Sequence, residues 1–350
     1  MDTNFANQGN LILKYPWKEG TIEGISTDKN NNISIFGFPT TNMKSYLGIC
    51  NINLNKLKDT NQLFNVTIKP FEIGSGKDLI ELMSLTKYSR LYKTKENHFI
   101  TAGSEKINTV YGLSIYKYND SGKLIKSFGK NGRSFIPFGN NEDDVFVTNI
   151  LSTKNNKIFV SVVLNQTNVK QSYLFIFNEK GQFEKKVLIN NLKNKPFASQ
   201  KIIENNNGII FMGTIETKES LYSSYFIKFD YSGKIDKTFG QAGIINISEK
   251  ILGNFIPYTF TTDNEENIYL TNSLFKDNGN IGVMCIKKNG TIDKSIFKNR
   301  FLYLDNIPHY YRTFYISMHN ENQIYLLFAG YNFDASQSEM CLKRLKITRY

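Results

Sequence analysis

The chain has 350 residues, of which 40% are hydrophobic and 14% aromatic, so it can bury a large core and is not disordered. Its formal net charge of +12 comes from 43 basic and 31 acidic residues, and only six of the basic residues are Arg. Nucleic-acid binders usually concentrate Arg for bidentate contacts, whereas Lys is scattered here, so the composition argues against a nucleic-acid partner.

Two kinds of segment are missing from the sequence. The N-terminus has neither the basic nor the apolar region of a secretory signal, and no apolar run approaches the roughly 18 residues of a membrane helix. Cys50, Cys285 and Cys341 have no CxxC spacing, which indicates buried thiols rather than disulfides or zinc ligands. We expect a monomer with no membrane span. The cytoplasm is the default compartment, although export without a signal stays open.

In chain order, the first element is residues 2–9, which match residues 236–243. A strand, an Asn-rich turn and a second strand then recur six times, at 24–38, 89–103, 147–163, 198–214, 258–273 and 315–330. The first apolar residues after these turns are Ile33, Phe99, Ile158, Ile209, Ile268 and Ile324. These markers are 66, 59, 51, 59 and 56 residues apart, which indicates six repeats of about 58 residues that fill the chain.

A second pattern is a hairpin, which in the clearest copies leads into a Phe-Gly turn. Those copies are residues 115–133 and 226–244, and weaker ones lie at 50–66, 175–189 and 285–301. Alternating apolar residues predict half-buried strands, and Asn, Asp and Gly allow the left-handed backbone of tight turns. Each repeat is therefore expected to supply about four short strands.

The interval of 66 residues between Ile33 and Phe99 is the longest because it contains an insertion. Residues 74–78 (GSGKD) superficially resemble a phosphate-binding loop, but the leading glycine and the hydroxyl residue are missing, so we expect a turn. Residues 78–85 have spacing compatible with one or two helical turns, either a packed decoration or a lid.

The chain ends predict closure into a ring. Residues 341–350 match the first strand of the hairpin, and the missing remainder of that repeat stands at the N-terminus. We therefore predict an all-β fold, a single closed β-propeller of six blades with about four antiparallel strands each, in which an N-terminal strand completes the last blade. The expected blades span approximately 6–62, 63–128, 129–187, 188–239, 240–297, and 298–350 plus 1–5.

Residues 235–243 (IDKTFGQAG), with related segments at 125–132 and 2–9, resemble the delta-60 repeat of bacterial β-propeller proteins, and also NHL-type blades. This resemblance implies a propeller fold and a bacterial origin. It implies no reaction, because it brings no catalytic residues with it.

No catalytic or metal-binding set stands out, so we predict no catalytic residue, metal or cofactor. Glu23, Asp28 and Asp263 lie on or near innermost strands, where propeller hydrolases gather metal ligands, but no repeat position is consistently acidic. Aromatic residues occupy loops on one expected face, among them Tyr15, Tyr222 and Phe255. The predicted binding residues are Trp17, His309, Tyr310, Tyr311, Arg312, Tyr331 and Phe333.

Three functions remain open at this point. We favour a non-enzymatic interaction module that binds a macromolecular partner, most simply a protein, through one propeller face. The alternatives are a glycan-binding lectin-like propeller and a metal-dependent lactonase or esterase.

Overall fold

A computed structural model describes most of the strands and their turns. The described residues are 10–14, 16–17, 20–27, 32–41, 44–54, 64–70, 90–139, 145–166, 169–189, 199–218, 221–252, 257–272, 281–296, 301–304, 312–320, 322–332 and 337–347. The insertion at 74–85 lies outside these residues, so its predicted helix and turn remain expectations.

The described part of the chain contains 24 strands and one short helix, α1 (Glu249–Leu252). The strands are β1 (Asn10–Lys14), β2 (Gly20–Thr27), β3 (Asn32–Thr41), β4 (Lys44–Asn53), β5 (Phe64–Pro70), β6 (Arg90–Lys93), β7 (Phe99–Ile107), β8 (Val110–Tyr118), β9 (Arg133–Gly139), β10 (Val145–Ser152), β11 (Lys157–Gln166), β12 (Val169–Asn178), β13 (Phe183–Leu188), β14 (Ser199–Asn205), β15 (Gly208–Lys218), β16 (Leu221–Asp230), β17 (Ile244–Ile247), β18 (Pro257–Thr262), β19 (Ile268–Asn272), β20 (Gly282–Ile286), β21 (Leu302–Tyr303), β22 (Arg312–Asn320), β23 (Gln323–Asn332) and β24 (Gln337–Lys346).

These strands form six four-stranded antiparallel sheets, which confirms the predicted β-propeller with six blades. In five blades the strands are consecutive in sequence: β2–β5, β6–β9, β10–β13, β14–β17 and β18–β21. The first strand of each blade contacts the first strand of the next, and β22 contacts β2, so the innermost strands close a ring around a central channel.

The last blade joins the two ends of the chain. Its strand order is β1-β24-β23-β22, and β1 pairs antiparallel with β24 from Asn10 opposite Lys343 to Lys14 opposite Glu339. The closing strand is therefore residues 10–14, which follow the segment 2–9 that resembles a turn. Sheet boundaries are offset from the predicted repeat boundaries, because a repeat in sequence has no intrinsic starting point.

Apolar residues pack between neighbouring sheets. One cluster joins Ile33 and Ile52 of the first blade to Tyr325 and Leu342 of the last, with Leu13 of β1 beside them. Strands with both faces covered read as continuous apolar runs, such as the fully buried β20. The three cysteines are buried free thiols, as expected.

The two Phe-Gly turns connect the second blade to the third and the fourth blade to the fifth. Phe128 and Phe239 are buried, and the N–H groups of the following Gly129 and Gly240 donate to the carbonyl oxygens of Lys180 and Lys288 in the adjacent blade, at 2.7 and 3.1 Å. Between the hairpin turn and the Phe-Gly turn, the chain forms isolated bridges, such as Phe229 with Ile235, and no continuous strand. The fourth strand of these two blades, β9 or β17, begins after the Phe-Gly turn. Within the described ranges, no helix is long and apolar enough to cross a membrane.

Candidate functional site

The central channel is the cavity that the six blades share. Its volume is about 880 Å³, and residues from the first strand of every blade line it: β2, β6, β10, β14, β18 and β22. A site here is assembled from six distant parts of the chain.

One position of the repeat forms a ring around this channel. The position is defined by strand pairing. In each blade, the second strand carries the apolar marker residue of the repeat, and the residue three places after that marker pairs with the ring residue on the first strand. The six ring residues are Gly24, Arg90, Asn149, Lys201, Thr259 and Tyr315. Two of these six positions are therefore basic, while the others are small, polar or aromatic.

A bulge precedes the ring position in several blades. The register of β2 with β3 shifts between Ile22 and Gly24, so Glu23 is the extra residue. Thr148 and Tyr258 hold the same place in their blades. Bulges re-aim side chains, and all three residues line the channel. Glu23 thereby joins the basic ring residues.

Local contacts hold the ring in place. Arg90 donates its Nε–H to the carbonyl oxygen of Thr148 in the neighbouring blade, at 3.0 Å. The Tyr315 hydroxyl donates to the Ile22 carbonyl oxygen at 3.4 Å, and Glu23 accepts from the Thr21 hydroxyl at 3.1 Å. The first two bonds connect neighbouring blades, and the third holds Glu23 against its own strand.

Lys201 has an unusual environment. Its Nζ lies 4.6 Å from the centre of the Tyr315 ring, over the ring face. Within the described part of the chain its ammonium group has no hydrogen-bond acceptor and no salt-bridge partner. Burial lowers the pKa of Lys201 to about 8, against an opposing effect of Glu23, and Arg90 lowers it further. Lys201 is therefore a half-buried cation to which the described residues offer no bonded anion.

Glu23 shows the complementary shift. Burial raises the pKa of its carboxyl group, and Arg90, the Thr21 hydroxyl and Lys201 oppose that rise. Arg90, Lys201 and Glu23 therefore form one electrostatic group in which the positive charges outnumber the carboxylate.

The other end of the channel is held by structural contacts. Glu204 accepts from the backbone N–H of Lys154 at 2.7 Å and from the Tyr231 hydroxyl at 3.0 Å, and it lies 3.4 Å from Lys95 Nζ. Burial and the neighbouring Glu204 raise the pKa of Tyr92. Since Glu204 already has partners, we assign it to the turns at this end rather than to a ligand.

The predicted binding residues fare unevenly. Trp17 was expected to be an exposed aromatic, and this is wrong: it is 5% exposed and packs in the apolar cluster with Leu13. Arg312 and Tyr331 lie in β22 and β23, with side chains that are not described. His309, Tyr310, Tyr311 and Phe333 lie outside the described residues. Their role in binding stays a prediction.

The expected carboxylates and loop aromatics can be placed in part. Glu23 and Tyr222 line the channel. Asp263 instead caps a turn, where it accepts from the backbone N–H groups of Glu265 and Asn267 at 3.0 and 2.8 Å. Asp28 is not among the described residues. No cluster of three metal-ligating side chains occurs where the chain is described.

Sequence reasoning missed Arg90, Lys201 and Tyr315. A signal for them was present, because the ring residue stands nine positions before the marker in five repeats. In the fourth repeat, Lys201 stands eight positions before it. A charged residue at a strand position whose counterparts are Gly, Asn, Thr and Tyr is out of pattern.

Comparisons with known proteins support the fold and leave the function open. No protein-family model and no curated protein matches the chain. A protein of unknown function from Dyadobacter fermentans has a similar structure, with a TM-score of 0.56, 11% identity, and coverage of 97% of this chain and 100% of the other. A subtype N10 neuraminidase-like protein of A/little yellow-shouldered bat/Guatemala gives a TM-score of 0.50, 11% identity, and coverage of 96% and 98%.

A third structure, the polysaccharide lyase Uly1, has a TM-score of 0.48, 8% identity, and coverage of 93% and 90%. The first two similarities, at 11% identity, show a shared fold alone. The particular repeat type, delta-60 or NHL-like, and the bacterial origin stay predictions.

Proposed function

We propose that this propeller is a binding protein whose central channel holds a small carboxylate ligand that also carries hydroxyl groups, as sugar acids do. The observation behind the proposal is the Lys201 ammonium group, which is half-buried on the channel wall and has no bonded anion among the residues that the structure describes. Leaving a buried charge unpaired is costly, and a ligand carboxylate would supply the partner.

The neighbours of Lys201 suit such a ligand. Arg90 adds a second positive charge to the ring. Thr259 and Asn149 offer polar groups, and Tyr222 and Tyr315 offer flat aromatic surfaces. Sugar recognition commonly combines hydrogen-bonding groups with aromatic faces. A macromolecular partner could also use this site if it inserted a terminal acidic group into the channel. The channel site therefore agrees with the predicted role in binding a macromolecule.

The first test is isothermal titration calorimetry with glucuronate and, as a matched neutral sugar, glucose. We expect glucuronate to bind and glucose to bind at least tenfold more weakly. Lys201→Met should weaken glucuronate binding about 10- to 100-fold, because a hydrogen bond to a charged group contributes about 1.5–3 kcal/mol. Lys126→Met, at an exposed lysine in a blade turn, is the control and should change nothing.

The pH dependence has a definite sign. The pKa of Lys201 is lowered to about 8, so the ammonium form is lost as pH rises through that value. Glucuronate affinity should therefore be steady between pH 6 and 7 and fall above about pH 8. Equal binding of glucose and glucuronate, or an affinity that does not respond to Lys201→Met, would contradict the proposal.

A further inference from the structure

The channel contains an amine suited to covalent chemistry. The inference below rests on the function proposed above and concerns which carboxylates the channel takes. Two lysines of one blade, Lys201 on β14 and Lys228 on β16, lie in contrasting surroundings.

Lys228 is held as a cation. Its side chain is 3% exposed, its Nζ forms an ion pair with Glu266, and it lies 3.0 Å from Asp236 Oδ2. These carboxylates raise its pKa despite burial. An amine bound in this way is protonated and has no lone pair with which to attack.

Lys201 differs on each of these points. It faces an open cavity of about 880 Å³, and its ammonium group lies over the ring face of Tyr315. With a pKa of about 8, roughly a tenth of such groups are neutral at pH 7, against fewer than about one in a thousand for an ordinary lysine. Neutral amines of buried lysines are the nucleophiles that form imines with carbonyl compounds.

Imine formation also needs a group that transfers protons and a cation that holds the carboxylate, and the surroundings of Lys201 supply both. Glu23 lies near enough to Lys201 for each group to shift the pKa of the other, and its own raised pKa suits a group that takes up and returns a proton. Arg90 belongs to the same ring and offers its charge to a carboxylate next to the carbonyl group. The three side chains match a ligand with a carbonyl carbon beside its carboxylate.

We infer that Lys201 captures ligands of the 2-oxo acid class through a reversible imine. Through one bridging water molecule, Glu23 takes a proton from the Lys201 ammonium group, and Nζ attacks the carbonyl carbon to give a carbinolamine. Glu23 then returns its proton to the carbinolamine hydroxyl group, which leaves as water. The product is a protonated imine, so the ammonium group and the carbonyl compound give the iminium ion and one water molecule, with no change in charge and no oxidant or reductant.

The test uses pyruvate and its reduced counterpart lactate, which has the carboxylate but no carbonyl group. The full-length protein is incubated with each acid and cyanoborohydride near pH 8, and the products are analysed by intact mass and peptide mapping. We expect one adduct with pyruvate, on Lys201, with the mass of pyruvic acid less one oxygen atom, and none with lactate. Lys201→Met should lose this adduct and Lys126→Met should keep it.

The outcomes separate this inference from the proposed function. Calorimetric binding of lactate or glucuronate without an adduct on Lys201 would overturn the inference and leave the proposed function standing. Equal labelling of many lysines would also overturn it. If neither carboxylate binds and no adduct forms, both ideas are wrong.

Discussion

At the scale of single residues, charge is buried between the fourth and fifth blades as well as in the channel. Lys228 bonds to Glu266, which is 7% exposed and also lies 2.9 Å from Lys288 Nζ. Asp236 completes the network from the Phe-Gly turn. Four charged groups therefore join the turn of one blade to the hairpin of the next, in addition to the hydrogen bond between Gly240 and Lys288.

Removing Lys228 should be costly, since it leaves buried carboxylates without their main partner. We expect Lys228→Met to lower the free energy of unfolding by about 3 kcal/mol, measured by urea denaturation. Lys234→Met is the matched control: it removes an exposed lysine of the same hairpin and should cost less than about 0.5 kcal/mol. Equal losses in the two variants would show that the network does not stabilise the fold.

The same network gives the stability a pH dependence. Hydrogen bonds from Thr238, followed by Lys228, lower the pKa of Asp236 to about 2, below its ordinary 3.8. A carboxylate with a lowered pKa stabilises the fold above its unfolded pKa, and this contribution is lost as pH falls from about 4 to about 2. The acid loss should be smaller in Lys228→Met. The raised pKa of Lys228 acts in the other direction, because its contribution is present below about pH 10.5 and is lost above it.

At the scale of elements, the hairpin turns are the feature that the repeats share most clearly. Hairpin turns in three blades begin with an Asn or Asp whose side chain accepts the backbone N–H two residues later: Asn119, Asn178 and Asp230. The matching turn of the fifth blade begins with Lys287 and has its accepting side chain at Asn289. The glycine of each of these four turns has a positive φ, between 78 and 88°. Hairpins that look degenerate in sequence thus keep the one glycine that their turn needs and lose the Phe-Gly turn.

The Phe-Gly turn of the fourth blade offers a matched pair of substitutions. Gly240 has a φ of +54°, and a Cβ there would lie 2.4 Å from the Ile244 carbonyl oxygen, so Gly240→Ala should lower the free energy of unfolding by about 2 kcal/mol or more. Ala242 already has a φ of 53°, where L-residues are strained, and its counterpart in the second blade is Asn131. We expect Ala242→Asn to stabilise the protein by a few tenths to about 1 kcal/mol.

Thermal and urea unfolding of both variants would check this. If Ala242→Asn lowered stability as much as Gly240→Ala, backbone conformation would not be the cause.

At the scale of the whole molecule, stability depends on closing the ring. A propeller with an unpaired last blade would expose the edge of β24 and part of the apolar cluster that Leu13 completes. The channel also depends on closure, because β22 of the last blade and β2 of the first both line it and are joined by the hydrogen bond from the Tyr315 hydroxyl to the Ile22 carbonyl oxygen.

Two neighbours on β1 test the role of closure. Leu13 is 6% exposed and Ile12 is 62% exposed, although both pair with β24. Leu13→Ala should lower the free energy of unfolding by about 2–4 kcal/mol, since it opens a cavity between the last and first blades. Ile12→Ala should cost less than about 1 kcal/mol in the same urea titration. Similar costs for the two would mean that β1 adds backbone pairing alone.

The sequence by itself determined the six-bladed ring and its closure by the N-terminus, because those features depend on what the repeats share: alternating apolar residues, turn-forming Asn, Asp and Gly, and a motif divided between the two ends. It also showed Glu23 near an innermost strand. The tertiary structure alone decided the site. Glu23, Arg90 and Lys201 belong to three different blades. Arg90 and Lys201 line the channel because the ring brings one repeat position there six times, and Glu23 joins them from the bulge before that position. The chemistry of the site depends on side chains that differ from repeat to repeat. A search for what the repeats have in common therefore does not reveal them.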